Sequence, residues 1–91
     1  MDFSIGYHPS VKSDDLPLIN PDIQKRIKDA IEKRLMVAPH RYGKPLRRTL
    51  KGYWKLRIGD YRVVFSILNK TVYVYCICHR KAVYQIIFNR V

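Results

Sequence analysis

The 91 residues are expected to form one small domain, 1–91, with a single hydrophobic core, and a hydrophobic content of 47% excludes a disordered protein. No apolar run approaches the roughly eighteen residues of a membrane span, and the N-terminus lacks the features of a signal peptide, so we expect a soluble cytoplasmic protein. The formal net charge of +11 lies mostly in residues 44–91, where eleven Lys and Arg stand against Asp60 alone; this favours a nucleic-acid partner over a solubilising surface or a site for an acidic protein.

The N-terminal half predicts one strand and two helices. Alternating apolar residues predict a short strand over residues 2–7, and residues 9–16 are consistent with a short helix that ends before Pro17. A second helix begins after Asn20, which is a good N-cap, with Pro21 at the first helical position. Apolar residues at helical spacing continue to Leu35, and Pro39 is predicted to end this helix.

The C-terminal half predicts a three-stranded antiparallel meander and a last helix. A basic loop over residues 39–52, with a short edge strand around 46–50, precedes a hairpin of strands 53–58 and 61–68. Asn69 and Lys70 turn the chain into a third strand, 71–79, and a helix follows at about 82–90. This order predicts an α+β fold, in which an N-terminal strand and two helices pack on the meander and a short helix ends the chain.

The hairpin carries the most informative charges. Gly59-Asp60 predicts a two-residue loop, which places Arg57 directly opposite Arg62. Like charges at this spacing repel each other, and a bound polyanion would relieve the repulsion. If both turns of the meander are two-residue loops, Arg62 pairs with Ile77 in the third strand.

This register predicts one apolar and one basic face of the sheet. The apolar face, which the helices would cover, collects Trp54, Leu56, Ile58, Tyr61, Val63, Phe65, Ile67, Val72, Val74, Cys76 and Cys78. The basic face collects Tyr53, Lys55, Arg57, Arg62, Val64, Ser66, Tyr73, Tyr75, Ile77 and His79. His79 is therefore predicted near Arg62, whereas strand parity places Arg80 on the apolar side unless the strand ends at His79 and the chain turns away.

The inventory of side chains limits the chemistry. Cys76 and Cys78 are poorly placed for a disulfide and are predicted to be buried free thiols. The sequence shows no metal-ligand cluster, phosphate-binding Gly-rich loop or carboxylate pair, so we expect no metal and no cofactor. Lys, Arg, His and Tyr suit RNA cleavage, because the substrate's own 2′-hydroxyl can attack the phosphate. Tyr53, Tyr73 and Tyr75 could stack on bases or pack under a helix.

Three segments carry a family resemblance: Leu50-Lys-Gly-Tyr-Trp-Lys-Leu-Arg-Ile-Gly-Asp-Tyr-Arg-Val-Val-Phe65, His79-Arg-Lys-Ala-Val-Tyr84 and Gly43-Lys-Pro-Leu46. With the order of elements, they resemble the RelE/ParE superfamily of bacterial toxins over essentially the whole chain. For the RelE branch the resemblance implies metal-independent, ribosome-dependent cleavage of mRNA in the A site, with mRNA and 16S rRNA as partners and a 2′,3′-cyclic phosphate and a 5′-hydroxyl as products. It also implies a cognate antitoxin protein, usually acidic and with an amphipathic helix.

The resemblance assigns roles to residues near the hairpin and the C-terminus. The family's active positions fall on Lys55, Arg57, Arg62, Arg80 and Tyr84. We expect Lys55 or His79 to accept the 2′-hydroxyl proton, and Arg62 with Arg57 to clamp the transition state. Arg80 would aid the leaving 5′-oxygen, and Tyr84 would stack on or orient a base. Further RNA contacts are predicted for Lys44, Arg47, Arg48, Lys51, Tyr53 and Lys81.

Two other functions remain open. ParE members share the fold but poison DNA gyrase by binding, typically without the catalytic set. A non-catalytic RNA-binding domain would use the same cations only to grip phosphates. RelE enzymes often have Lys at the position of Arg57, and Arg is a poor general base because it holds its proton tightly.

Overall fold

Five β-strands form one mixed sheet in the computed structural model, which describes residues 2–47 and 50–91. The strand order is β1-β5-β4-β3-β2; β1 runs parallel to β5, and the other neighbours are antiparallel. The strands are β1 Ser4–Tyr7, β2 Lys44–Pro45, β3 Tyr53–Ile58, β4 Tyr61–Leu68 and β5 Thr71–His79. The predicted meander is confirmed, including its bounds, whereas the edge strand β2 lies earlier than residues 46–50.

The helices flank the sheet on both faces. They are a π-helical turn at Val11–Asp15, a 3₁₀ turn at Leu16–Leu18, α1 at Pro21–Ala30 with a π-helical continuation at Ile31–Leu35, α2 at Pro39–Tyr42 and α3 at Val83–Arg90. The Asn20 side chain caps α1 by accepting a hydrogen bond from the Asp22 N–H at 2.8 Å, as predicted. The helix that starts at Pro21 and continues through Ile31–Leu35 ends four residues before Pro39, and Pro39 itself begins α2. Within the described residues, no helix is long and apolar enough to cross a membrane.

Each face of the sheet has its own core. On one face, here the α1 face, Leu56, Val63 and Phe65 pack against Ile27 and other residues of the N-terminal helices. On the opposite face, the α3 face, the buried residues are Leu46, Leu50, Val64, Cys76, Cys78, Val83 and Ile87. The α+β fold class is confirmed, but the prediction of a single covered apolar face is wrong because α3 covers much of the second face.

A β-bulge in β5 adds two residues of the predicted apolar face, Cys76 and Cys78, to this second core. Phe65 pairs with Val74, but Val64 pairs with Cys76, so that β5 has one extra residue, Tyr75, at this point. The predicted pairing of Arg62 with Ile77 is therefore wrong, and Arg62 pairs with Cys78. Beyond the bulge every side chain of β5 changes face: Cys76 and Cys78 lie on the α3 face, and Ile77 and His79 lie on the α1 face.

A buried ion pair between Asp15 and Arg90 lies beside the bulge, at the part of the sheet edge that β1 does not reach. Strand β1 pairs only with residues 71–74 of β5, and beyond it the Ile77 N–H donates to Asp15 Oδ2 at 2.9 Å. Arg90, at the end of α3, makes two hydrogen bonds of 2.7 Å to the Asp15 carboxylate and one of 3.0 Å to the Tyr75 carbonyl. Asp15 is only 5% exposed. The pair thus ties α3 to β5 and to the N-terminal helical turn.

Candidate functional site

A basic cleft lies on the α3 face, between the hairpin, the chain after β2 and the start of α3. Its volume is about 460 Å³. It is lined by Pro45, Leu46, Arg47, Lys55, Arg62, Arg80, Lys81, Val83 and Tyr84. Six of these are residues that the sequence nominated, and none of the described lining residues is acidic. The cleft therefore combines five cations and one aromatic ring over a small apolar floor.

Strand pairing explains why the hairpin cations converge. Lys55 lies opposite Val64, and Arg62 lies two residues along the same strand, so both side chains belong to the α3 face. Arg57 stands directly opposite Arg62, as predicted. It is exposed and lies outside the lining of the cleft. Lys44 lies opposite Lys55 on the edge strand, which extends the row of like charges.

The bulge brings Arg80 to this row. Because the alternation of β5 shifts by one residue, Arg80 follows Cys76 and Cys78 onto the α3 face, where regular alternation would have placed it only if the chain turned away after His79. The strand ends at His79, and the Arg80 N–H donates to the Asp60 carbonyl at 2.8 Å. The Arg80 Nε atom lies 3.7 Å from Asp60 Oδ1 in an exposed ion pair.

Arg62 is held in a crowded position. Its Nη1 donates to the carbonyl oxygens of Gly59 and Tyr61, both at 2.9 Å. Burial lowers the pKa of Arg62, the charges of Arg57 and Arg80 lower it further, and Asp60 opposes the change. An arginine stays protonated at neutral pH even so, and the repulsion favours binding of an anion in the cleft.

Tyr84 forms the aromatic wall. The Arg47 guanidinium carbon lies 4.7 Å from the centre of the Tyr84 ring, a cation–π contact that holds the arginine over the cleft. Tyr84 also contacts Phe88, one turn further along α3, with a centroid separation of 6.4 Å. The contact between Arg47 and Tyr84 fixes the position of the Arg47 side chain at the cleft, which could not be predicted from the place of Arg47 in a loop. The apolar floor formed by Leu46 and Val83 was also missed.

His79 is the main correction to the predicted site. It pairs with Tyr61 on the α1 face, and the two rings are 5.9 Å apart. Its Nδ1 atom accepts a hydrogen bond from the Lys81 N–H at 3.2 Å. The prediction that His79 faces the same side as Arg62 is therefore wrong, and His79 does not line the cleft.

The other residues that were predicted to contact RNA lie partly inside and partly outside the cleft. Arg47 and Lys81 line the cleft, whereas Lys44 and Lys51 are exposed outside it. The Tyr53 ring packs on Tyr75 at a centroid distance of 5.0 Å, and both rings are half-buried against the core of the α3 face. The Tyr75 hydroxyl in turn lies 3.1 Å from the Ser66 hydroxyl, and Tyr73 contacts the Tyr75 ring. Arg48 lies outside the described residues.

The cysteines are buried free thiols, with the two sulfur atoms 3.8 Å apart beneath α3. In the part of the chain that the structure describes, no three His, Cys, Asp or Glu side chains are grouped so that they could hold a metal ion. A second groove of about 610 Å³ lies between the N-terminal helical turns and α1. Its lining is largely apolar and includes none of the nominated residues.

Comparison with known proteins assigns the family. The family model described as "ParE toxin of type II toxin-antitoxin system, parDE" matches residues 7–84. The chain belongs to the RelE/ParE superfamily of toxins. A curated relative, Toxin RelE of Mycobacterium tuberculosis, is 58% identical over 33 residues, which are 36% of this chain and only about a third, 34%, of that protein.

Solved structures of the superfamily share the fold. The RelBE2 toxin–antitoxin complex of Mycobacterium tuberculosis has a chain that matches with a TM-score of 0.80 and 29% identity, over 88% of this chain and 100% of that one. The RelB-RelE complex of Methanococcus jannaschii matches with a TM-score of 0.66 and 22% identity, over 88% and 95%. The YoeB/ParE toxin of Agrobacterium tumefaciens matches with a TM-score of 0.63 and 17% identity, over 85% and 98%.

Proposed function

We propose that this superfamily member is a ribosome-dependent endoribonuclease that cleaves mRNA in the A site without a metal. The observation that carries the proposal is the cleft itself, in which Lys55, Arg62 and Arg80 meet Tyr84 and none of the described lining residues is acidic. Such a site attracts a phosphodiester and stabilises the extra negative charge of its transition state. The requirement for the ribosome comes from the resemblance to RelE toxins.

The reaction is an internal transesterification of the mRNA. The 2′-oxygen forms a bond to the adjacent phosphorus, the bond from phosphorus to the 5′-oxygen breaks, and the products are a 2′,3′-cyclic phosphate and a 5′-hydroxyl. Lys55 is the proton acceptor that the cleft offers, because His79 lies on the other face of the sheet. The 5′-oxygen gains a proton from water, and the hydroxide that this leaves takes the 2′-hydroxyl proton back from Lys55, which restores the base.

The remaining cleft residues stabilise and orient the substrate. Arg62, held by two backbone carbonyls, presents its other guanidinium N–H groups to the phosphate. Arg80 stabilises the charge on the leaving 5′-oxygen through hydrogen bonds, since an arginine does not give up its proton. Tyr84 stacks on or orients a base, with Arg47 beside it. Arg57 acts from the rim as an additional phosphate clamp.

The test is expression of the protein in bacteria, with mapping of mRNA 5′ ends. We expect cuts at a fixed position within codons for the native chain. The Arg62→Ala/Tyr84→Phe variant should lose them, and Arg26→Ala, which removes an exposed cation of α1, should retain them. Unchanged cleavage in the double variant would show that these residues do not act in the cleft as assigned. Steep salt-dependent RNA binding without cleavage products would instead indicate a plain RNA-binding domain.

We further propose a cognate antitoxin as the protein partner. The RelBE2 and RelB-RelE structures are both complexes of a toxin with its antitoxin, and an acidic protein would complement the net charge of +11. The product of a small adjacent gene should co-purify with the chain and suppress mRNA cleavage. Failure to suppress cleavage would exclude that product as the antitoxin.

The second candidate function is non-enzymatic inhibition of DNA gyrase. The description of the matching family model favours it, because that model represents ParE toxins. Gyrase-dependent DNA breaks with intact mRNA would support this alternative and contradict the endoribonuclease.

A further inference from the structure

A second cluster of cations lies outside the cleft, beside α2. We call it the α2 patch: Arg34, Arg41 and Tyr42. The guanidinium carbons of Arg34 and Arg41 lie 5.9 and 6.0 Å from the centre of the Tyr42 ring. All three residues are exposed, and Tyr42 retains 44% of its accessible surface. One aromatic ring thus gathers two arginines that come from different helices.

The two arginines are electrostatically unsatisfied. Within residues 2–47 and 50–91, the ion pairs shorter than 4 Å join Arg80 to Asp60 and Arg90 to Asp15, and neither involves the α2 patch. Two positive charges gathered around one tyrosine ring without an ion-pair partner repel each other. A bound polyanion would remove this cost, as it would for the cations of the cleft.

Packing beneath α2 holds the patch in place. Pro39 is buried, and the Gly43 N–H closes the helix by donating to the Pro39 carbonyl at 2.9 Å. A β-carbon on Gly43 would lie 2.5 Å from Phe65 Cζ, so glycine is what allows α2 to sit this close to the sheet. Arg41 and Tyr42 are therefore presented from a fixed platform, which lowers the ordering cost of binding a ligand.

The edge strand β2 separates the patch from the cleft. α2 packs on the α1 face, where Gly43 meets Phe65, whereas the cleft lies on the α3 face. Gly43 joins α2 directly to β2, and Lys44 on β2 lies opposite Lys55, which lines the cleft. An RNA strand that leaves the cleft past Lys44 and passes around this edge would meet the α2 patch.

We infer that the α2 patch binds the phosphate backbone of RNA beyond the nucleotides held in the cleft. The inference rests on the proposed function, since it extends the path of the RNA from the cleft. Two RNAs could supply these phosphates: a further segment of the mRNA, or ribosomal RNA around the A site. The chemistry is the same in both cases, with guanidinium forks on phosphate oxygens.

The test measures binding rather than cleavage, so that its failure is separate from a failure of the proposed function. Affinities of the Arg34→Gln/Arg41→Gln variant are measured against salt concentration with two probes. One is a single-stranded RNA oligonucleotide, and the other is a purified ribosome without mRNA. The matched control is Lys25→Gln/Lys28→Gln, which removes two exposed cations from α1. A second variant, Arg34→Lys/Arg41→Lys, retains the charge.

We expect the Gln variant to bind more weakly, and the slope of log affinity against log salt to fall by about 1.4–1.8, the value for two lost phosphate contacts. The control and the Lys variant should retain the native slope. If the Gln variant binds only the ribosome more weakly, the phosphates belong to rRNA, and if it binds the oligonucleotide more weakly, they belong to mRNA. Either result supports the inference. The single-turnover cleavage rate at saturating ribosome should stay native, because the cleft is intact.

A Gln variant whose slope equals that of the control with both probes would overturn the inference. So would a variant that binds both RNAs normally but loses affinity for the antitoxin, because the patch would then be a protein-binding surface. Circular dichroism and urea unfolding of each variant verify that the fold is retained.

Discussion

Replacement of Arg90 by Met should destabilise the protein more than any change to its exposed charges. The substitution removes two charged hydrogen bonds of 2.7 Å from Asp15, which keeps only the Ile77 N–H as a partner. It also removes the Arg90 bond to the Tyr75 carbonyl at the bulge. Because Asp15 is 5% exposed, its charge would remain buried and mostly uncompensated.

The expected loss is about 3–5 kcal/mol, the cost of breaking a buried ion pair from one side. A domain of this length has a free energy of unfolding of about 5–14 kcal/mol, so the loss is a large fraction of the total. This loss is measured by urea unfolding at neutral pH, followed by the fluorescence of Trp54, which packs against the core of the α1 face. The double variant Asp15→Asn/Arg90→Met should lose less than the single variants Asp15→Asn and Arg90→Met together, since it leaves no unpaired charge.

Arg80→Met is the matched control. It breaks the ion pair with Asp60, whose two side chains are 54% and 73% exposed, and should cost under about 1 kcal/mol. Equal losses for the Arg80 and Arg90 variants, or strict additivity of the Asp15 and Arg90 substitutions, would refute the claim that the buried pair holds α3 to the bulge.

Three further substitutions or reactions test separate parts of the structure. Gly43→Ala should lower the free energy of unfolding by about 1–3 kcal/mol in urea, because its β-carbon would clash with the Phe65 ring; a neutral effect would show that α2 does not pack as described. Cys76 and Cys78 are both buried, so both thiols should react with a disulfide reagent only after denaturation; the hydrogen bond to Cys78 and burial also raise the pKa of the Cys76 thiol, and fast reaction of the native protein would contradict the burial of the pair. His79→Gln should leave mRNA cleavage near the native rate while Lys55→Met abolishes it, and the opposite pattern in a cleavage assay would reassign the proton acceptor.

The hairpin was predictable because its signals are local. Gly59-Asp60 specifies a two-residue loop, and a tight loop fixes the pairing of every residue on the two strands, including Arg57 with Arg62. For the same reason, Lys55 and Arg62 could be predicted from the sequence to lie on the same face of the hairpin, where the cleft is. The pairing of β4 with β5 also follows the predicted register from the turn at Asn69-Lys70 as far as Phe65 and Val74, where the bulge begins.

The bulge left no such signal. An inserted residue reverses the faces of everything after it, yet the apolar and polar residues from Tyr75 to His79 are compatible with either arrangement. The bulge depends on partners far away in the chain: Asp15 is 62 residues from Ile77 and 75 from Arg90. Contacts at that separation are invisible to local patterns, which is why His79 was placed on the wrong face and Arg80 needed a turn to reach the cleft.

The most direct test of the central claim uses purified protein and ribosomes programmed with a defined mRNA. One mRNA is unmodified, and the other has a 2′-deoxy nucleotide on the 5′ side of the scissile phosphate in the A site. We predict that the unmodified mRNA is cut to a 2′,3′-cyclic phosphate and a 5′-hydroxyl, even in a metal chelator at a concentration that leaves the ribosomes assembled, and that the deoxy mRNA stays intact. Cleavage of the deoxy mRNA at the same position, or no cleavage of either, would contradict the account.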